Sequence, residues 1–195
     1  MCSVNEFHLE EALDDGTPVL YRLLDPKSNE DIDELKRGFE KLSEYSRYCR
    51  FLTRKGEIAE EHYAQISNID NIDHLALCAI DLSKDPKSGM GIARYVRVEK
   101  ESDVAEAAVT VIDEYQKKGL GTRLLTLLVQ LASEHGISHF RAHVLSTNKG
   151  MMKILKRHGA QIRYYGGSLN QIDFPLELLT SGVATPVDLF SLFAQ

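Results

Sequence analysis

Val111-Ile112-Asp113-Glu114-Tyr115-Gln116-Lys117-Lys118-Gly119-Leu120-Gly121-Thr122-Arg123-Leu124-Leu125 joins two unlike segments. Before it, Ala105 to Ile112 is an apolar run of the length of a buried strand. After it, Leu124, Leu125, Leu128, Leu131 and Ala132 recur at helical spacing, with Thr122, Arg123, Thr126, Gln130 and Ser133 expected on the opposite face. A strand that turns through glycines into a helix leaves the first helical N–H groups without acceptors, all aimed one way, at the positive end of the helix dipole. Lys117, Lys118 and Arg123 are expected to add full charges. The loop Gln116, Lys117, Lys118, Gly119, Leu120, Gly121, Thr122 therefore reads as a cradle for a pyrophosphate. The spacing narrows the ligand. Position 124 is leucine where a dinucleotide fingerprint needs its third glycine, and no Gly-x-x-x-x-Gly-Lys-Ser/Thr occurs in the chain.

The composition bounds the rest. A chain of 195 residues, 43% hydrophobic and 27% charged, suits one domain (1–195) with a sizeable core. No apolar run has the length of a membrane-spanning helix, and Met1 to Glu6 lacks the basic and apolar regions of a signal peptide. Cys2, Cys49 and Cys78 are odd in number and widely spaced, which points to reduced thiols in the cytoplasm. His139 and His143 fall on one strand face but lack the partners of a zinc site, so no metal is expected. A net charge of −6 disfavours nucleic acid and mildly favours a cationic substrate.

Outward from the loop, the chain alternates strands and helices. Asp14-Asp15-Gly16 between Glu6–Leu13 and Thr17–Leu24 is a hairpin signal. Asn29 is a candidate helix cap, with Ile32, Leu35, Phe39 and Leu42 at helical spacing behind it. Short helices are expected over Ser43–Phe51 and Glu57–Ile66, and strands over His74–Leu82, Gly91–Val98 and Val104–Ile112. The long helix should run to about His135, where Gly136 ends it. A strand at Ser138–Leu145, a helix opening at Asn148 and capped by Gly159, and a hairpin across Gly166-Gly167 complete an α/β (α+β) plan. The tail, 177–195, is too apolar for a disordered end; it packs on the domain or forms a dimer contact.

Gln116-x-x-Gly119-x-Gly121, placed between a buried strand and an amphipathic helix, resembles the acyl-CoA pyrophosphate loop of the GNAT superfamily of N-acyltransferases. The order of elements from about Val19 to Leu176 is similar to that family's fold, a mixed, mostly antiparallel central sheet flanked by helices. Asn148, Met151, Ile154, Leu155 and Gly159 occupy the places of its second motif. Three stretches resemble the bacterial Pat-type protein lysine acetyltransferases: Leu42 to Phe51, Gly91-Ile92-Ala93-Arg94-Tyr95, and Asn148 to Gly159. Pat enzymes often carry further domains, for which this length leaves no room, so a stand-alone catalytic domain is expected. The resemblance implies acetyl-CoA as cosubstrate, a protein lysine as acceptor, and direct transfer with no covalent enzyme intermediate.

Few residues are needed for that chemistry. Glu106 is a carboxylate in the otherwise apolar Val104-Ala105-Glu106-Ala107-Ala108-Val109; it either faces a cleft or lies on a half-exposed strand face. Partial burial would make it a stronger base. The family's catalytic glutamate occupies this strand, so the resemblance makes Glu106 the general base. By the same resemblance the backbone of Val109, Thr110, Val111 and Ile112 bonds the pantetheine, with pairing to the next strand broken, and an N–H near Val111 polarises the thioester oxygen. Asn148 is a contact to CoA or a bound water, or else a helix cap. Leu155 stands where many relatives have a tyrosine that protonates the leaving thiolate; the thiolate leaves unassisted, or Tyr164 or another residue serves. Arg47, Arg50 and Arg94 are a surface cluster, a CoA phosphate contact or acceptor-site residues. Tyr115 and Cys78 read as packing residues. Two other functions compete: a small-molecule amine N-acetyltransferase acting on a polyamine, amino acid or aminoglycoside, and an acyl-CoA-binding sensor without turnover.

Overall fold

The hairpin expected across Asp14-Asp15-Gly16 forms: β1 (His8–Ala12) and β2 (Pro18–Leu23) pair antiparallel with Leu9 opposite Tyr21, and Gly16 takes a φ of +84°. The computed structural model describes residues 7–51, 68–147 and 161–177. The helix expected at 57–66, the second motif with Asn148 and Leu155, and the tail from residue 178 lie outside these residues. After β2 come α1 (Asn29–Glu40) and α2 (Glu44–Phe51). Then follow β3 (His74–Asp81), β4 (Ser88–Val98), β5 (Glu101–Val111), a single 3-10 turn (Asp113–Tyr115), α3 (Leu120–Glu134), β6 (His139–Leu145), β7 (Gln161–Gly166) and β8 (Leu169–Pro175). Ser28, not Asn29, caps α1, its side chain accepting from the Asp31 N–H at 3.2 Å. Both residue types suit the position, and sequence could not choose between neighbours.

The eight described strands form one sheet in the order β1-β2-β3-β4-β5-β6-β8-β7. Every neighbouring pair is antiparallel except β5 and β6, which α3 connects as a crossover. One face of the sheet takes α3. Leu120, Leu124, Leu127, Leu128 and Leu131 are all buried there against Tyr95, Ala105 and Phe140, each leucine worth roughly 1.5–3 kcal/mol relative to exposure. Thr122, expected on the polar side of α3, is instead 2% exposed. Gly119 precedes α3 in the left-handed region, φ +82°, and Gly136 follows it at φ +75°. The other face takes α1, whose Ile32 and Leu35 pack toward Leu24, Ala76 and Ile92.

Tyr115 is the packing residue expected. It is buried, and its hydroxyl donates to Asp81 Oδ2 at 2.9 Å, tying the turn after β5 to the end of β3. Burial works to raise the Asp81 carboxyl, but hydrogen bonds from Ser83 and Tyr115 outweigh it and hold the group below its ordinary value. Stabilisation from a depressed carboxylate is fully present above its unfolded pKa and disappears as pH falls through the folded one. Tyr115→Phe should therefore cost about 1.5–3 kcal/mol at neutral pH, with the gap to wild type closing below about pH 4. Denaturant unfolding of both proteins across that range checks it; a gap independent of pH would refute it.

Candidate active site

The site begins where β5 loses a neighbour. Along β4 the ladder is continuous from Arg97↔Ala105 to Gly91↔Val111. Along β6 it holds only for Val104↔His139, Ala105↔Phe140 and Glu106↔Arg141. Beyond that point β6 continues to Leu145 paired with β8 alone. The two strands part at Glu106, and the break in pairing expected here opens over the second half of β5.

The ladder phase shows what the open edge offers. The Ile112 N–H donates to the Met90 carbonyl at 2.9 Å, so Ile112 opposite Met90 is a hydrogen-bonded pair. Antiparallel pairs alternate, so Thr110 bonds toward β4, while Val109 and Val111 turn their N–H and C=O away from it, toward the gap. The Val111 carbonyl accepts from Gln116 Nε2 at 3.0 Å. What stays presented to the gap is the Val109 and Val111 N–H groups and the Val109 carbonyl. An extended chain with amide groups meets such an edge as an added strand would. The β4–β5 approach is close here: a Cβ on Gly91 would stand 2.7 Å from the Thr110 carbonyl oxygen, so position 91 takes glycine.

The loop after the turn is built mainly from backbone. Lys117 takes a φ of +62° and Gly119 one of +82°, a fold that turns successive N–H groups to one side. Gly119 supplies no side-chain cap, and the first helical bond is Arg123 N–H to the Gly119 carbonyl, 3.0 Å. The N–H groups of Leu120, Gly121 and Thr122 precede it and have no helical acceptor. Two of the three charges expected at this cradle are engaged elsewhere. Arg123 forms a two-pronged pair with Glu11 at 2.6 and 2.7 Å, and Lys118 Nζ lies 3.1 Å from Asp15 Oδ2. Both partners lie on or beside the β1–β2 hairpin, whose approach to α3 could not be read from local sequence. Lys117 makes no ion pair with another described residue.

Glu106 stands at the vertex of the gap, exposed rather than half-buried, and its carboxylate makes no hydrogen bond or ion pair with another described residue. Arg94, opposite Ala108, lies one diagonal away on the same face of the sheet. Burial lowers the Arg94 guanidinium and the charge of Glu106 works against that. Arg50, from α2, is pushed down to about 10 by burial and by Arg94, and lies 5.1 Å from the Phe51 ring centroid. His74 is pushed down to about 4 by burial and by Arg94, and so is neutral at pH 7. Arg94 thus lies beside Glu106, and Arg50 is close enough to Arg94 to feel its charge. The Arg47 guanidinium donates to the carbonyls of Leu42 and Glu40 at the end of α1.

Sequence reasoning missed Asp113. Its carboxylate accepts from the Ser43 N–H (2.9 Å), Ser43 Oγ (2.7 Å) and Ser46 Oγ (2.9 Å). Burial acts to raise it, and these bonds hold it below the ordinary carboxylate range. Gln116 Nε2 also reaches Ser46 Oγ, at 3.2 Å. The start of α2 is thereby fixed to the end of β5, which holds the Leu42–Phe51 stretch beside the gap. The available signal was a serine pair, Ser43 and Ser46, at capping spacing, whose anchor lies 70 residues on. Tyr164 is 75% exposed on the outer strand β7, and Tyr165 stacks edge-on to His143. Among the described residues no group of three metal-ligating side chains occurs, and no helix is long and apolar enough to cross a membrane.

Comparison with known proteins agrees with this geometry. The family model for the acetyltransferase (GNAT) domain matches residues 22–161. An acetyltransferase of Pseudomonas aeruginosa is 32% identical over 147 residues, 74% of this chain and 75% of that protein. The acetyltransferase Pat of Mycolicibacterium smegmatis is 33% identical over 131 residues, 67% of this chain but only 38% of Pat's own length. Among solved structures, the GNAT domain of S. lividans PAT superposes with a TM-score of 0.73 at 24% identity, covering 86% of this chain and 96% of that domain. A strand gap ending in a glycine loop, found in a chain with these relatives, has one explanation: the protein belongs to the GNAT family of acetyltransferases.

Proposed function

We propose that this acetyltransferase moves acetyl from acetyl-CoA to a lysine amine on a folded protein, with Glu106 as the general base. The observation that carries the reading is the register: pairing between β5 and β6 stops at Glu106↔Arg141, so Glu106, the last carboxylate along β5, stands where the donor's thioester would lie. The pyrophosphate rests on the N–H groups of Leu120, Gly121 and Thr122, and the pantetheine pairs along Val109 and Val111. Their N–H groups polarise the thioester oxygen. Glu106 accepts one proton from the ammonium, the amine nitrogen attacks the carbonyl carbon, the C–N bond forms, the C–S bond breaks with its electron pair leaving on sulfur, and the second proton that nitrogen sheds on becoming an amide goes to the departing thiolate. Holding both reactants together contributes much of the rate.

The lysine acceptor rests on the resemblance of Leu42–Phe51 and Gly91–Tyr95 to Pat-type enzymes. It is supported by the tie between Asp113, Ser43 and Ser46, which fixes the first of these stretches beside the gap. A net charge of −6 also favours approach of a lysine-bearing surface. Incubation with labelled acetyl-CoA, once with a cell extract and once with a panel of polyamines, amino acids and aminoglycosides, tests it. Discrete labelled protein bands that vanish with Glu106→Gln are expected. Turnover of one small amine with no protein labelled above background would replace this acceptor with a small molecule. Binding without any turnover would favour a sensor.

A further inference from the structure

The gap has a second wall, across from β5. β6 runs on from Arg141 through His143 to Leu145 with β8 as its partner. Paired residues on neighbouring strands put their side chains on one face of a sheet. Glu106 and Arg141 therefore share a face with Ala108 and His143, each two positions further along its strand. Ala108 and His143 are the first side chains to flank the opening on that face, about 7 Å beyond the vertex. Ala108 offers only a methyl group. His143 is half-buried, and histidine both gives and takes a proton near neutral pH. Its surroundings leave the imidazole to the gap. Tyr165 of β7 packs edge-on against it, 5.0 Å between ring centroids, from the side away from β5. Gln171, opposite His143 on β8, donates to Asp173 at 3.2 Å. Arg141 is engaged with Asp173 at 2.6 Å and Glu101 at 2.7 Å. Arg163, opposite Gln171, lies a further strand away on β7. Across the gap the charged groups are Glu106 and, behind it on β4, Arg94. His143 itself makes no hydrogen bond or ion pair with another described residue.

The chemistry has a place for such a group. The attacking nitrogen sheds two protons, and Glu106 takes one. Thiols are largely protonated at neutral pH, so the departing sulfur must gain a proton. We propose that His143 is the catalytic acid: its imidazolium donates a proton to the sulfur as the C–S bond breaks, and the neutral ring then takes the second proton from nitrogen as the amide forms. The second proton thus reaches sulfur by way of His143. The C–N bond forms, coenzyme A leaves as the thiol, and His143 ends in the state in which it began. The proton on Glu106 passes to solvent. The inference rests on the reading of β5 as the donor strand and of Glu106 as the base.

The test is a pH–rate profile of coenzyme A release for wild type, His143→Gln, His143→Ala and Glu106→Gln. The acceptor is whichever protein or amine wild type acetylates fastest, so its identity does not enter. Acetyl-CoA affinity by calorimetry and the melting temperature are measured on the same samples. His143→Gln should lower kcat by about 10–50-fold, less than a positioned acid usually supplies because a thiolate leaves readily. Acetyl-CoA affinity should change by less than about twofold, and the melting temperature should hold. The fall in rate at high pH, where a catalytic acid has lost its proton, should flatten, while the rise at low pH stays. Free imidazole should restore part of the rate of His143→Ala and none of that of Glu106→Gln. Full turnover in a folded His143→Gln would overturn the proposal. A lower rate with the falling limb intact and no response to imidazole would make His143 a packing residue instead, and weaker acetyl-CoA binding would make it a donor contact. Wild-type turnover in Glu106→Gln, with His143→Gln impaired as described, would remove the base and leave the acid in place. A wild type that acetylates nothing would overturn both.

Discussion

Glu106→Gln is expected to lower kcat by about 10²–10⁴-fold, the usual worth of a positioned base, and to leave acetyl-CoA affinity unchanged. The carboxylate lies at the vertex of the β5–β6 gap and makes no bond to another described residue, so glutamine breaks no ion pair and leaves no buried partner behind. The side chain is exposed, so folding stability should move by no more than about 0.5 kcal/mol. A change confined to the transition state lowers kcat and kcat/KM together. The rising limb of the pH–rate profile should flatten in the variant. A variant with wild-type turnover across that range would assign the proton to another group. A variant with weakened acetyl-CoA binding would make Glu106 a donor contact instead.

Gly121→Val is expected to weaken acetyl-CoA binding by about 10²-fold or more, the loss of two charge-assisted hydrogen bonds at roughly 1.5–3 kcal/mol each. Nothing inside the protein requires glycine at this position. Among residues with positive φ are Gly119 and Lys117 but not Gly121, and a Cβ on Gly121 would meet only Val111 Cγ2, at 3.5 Å. The open side is the one to which the N–H groups of the first turn of α3 point. A side chain there obstructs the pyrophosphate while the helix gains a better former than glycine. The melting temperature should hold, and Gly121→Ala should show a smaller loss of affinity. Unchanged affinity in a folded valine variant would place the pyrophosphate elsewhere.

What could be read from sequence was what depends on near neighbours. The Asp14-Asp15-Gly16 hairpin, the helix behind the glycine loop and its Gly136 cap all follow from local patterning, and each forms where expected. Glu106 stood out because a carboxylate in an apolar strand needs a reason. What escaped was set by contacts distant in the chain. Arg123 and Lys118 looked like cradle charges until the β1–β2 hairpin brought Glu11 and Asp15 beside them. Thr122 looked polar-facing because its neighbours on α3 were charged or hydroxylic, yet the sheet covers it. Asp113 looked like an ordinary acidic turn residue, because its partners Ser43 and Ser46 lie about 70 residues away. The same reason left Glu106 open between a cleft and a half-exposed strand face. Strand alternation fixes the face a side chain takes, but the parting of β6 fixes how open that face is.

The central claim is that the donor lies along the open edge of β5, paired with Val109 and Val111. The most direct measurement is residue-resolved amide hydrogen exchange by NMR on the full chain, with and without acetyl-CoA. On saturation the Val109 and Val111 amides, together with Leu120, Gly121 and Thr122, should gain protection, while Thr110, already bonded toward β4, should change little. Protection that appears elsewhere, with Val109 and Val111 exchanging as freely as before, would contradict the account.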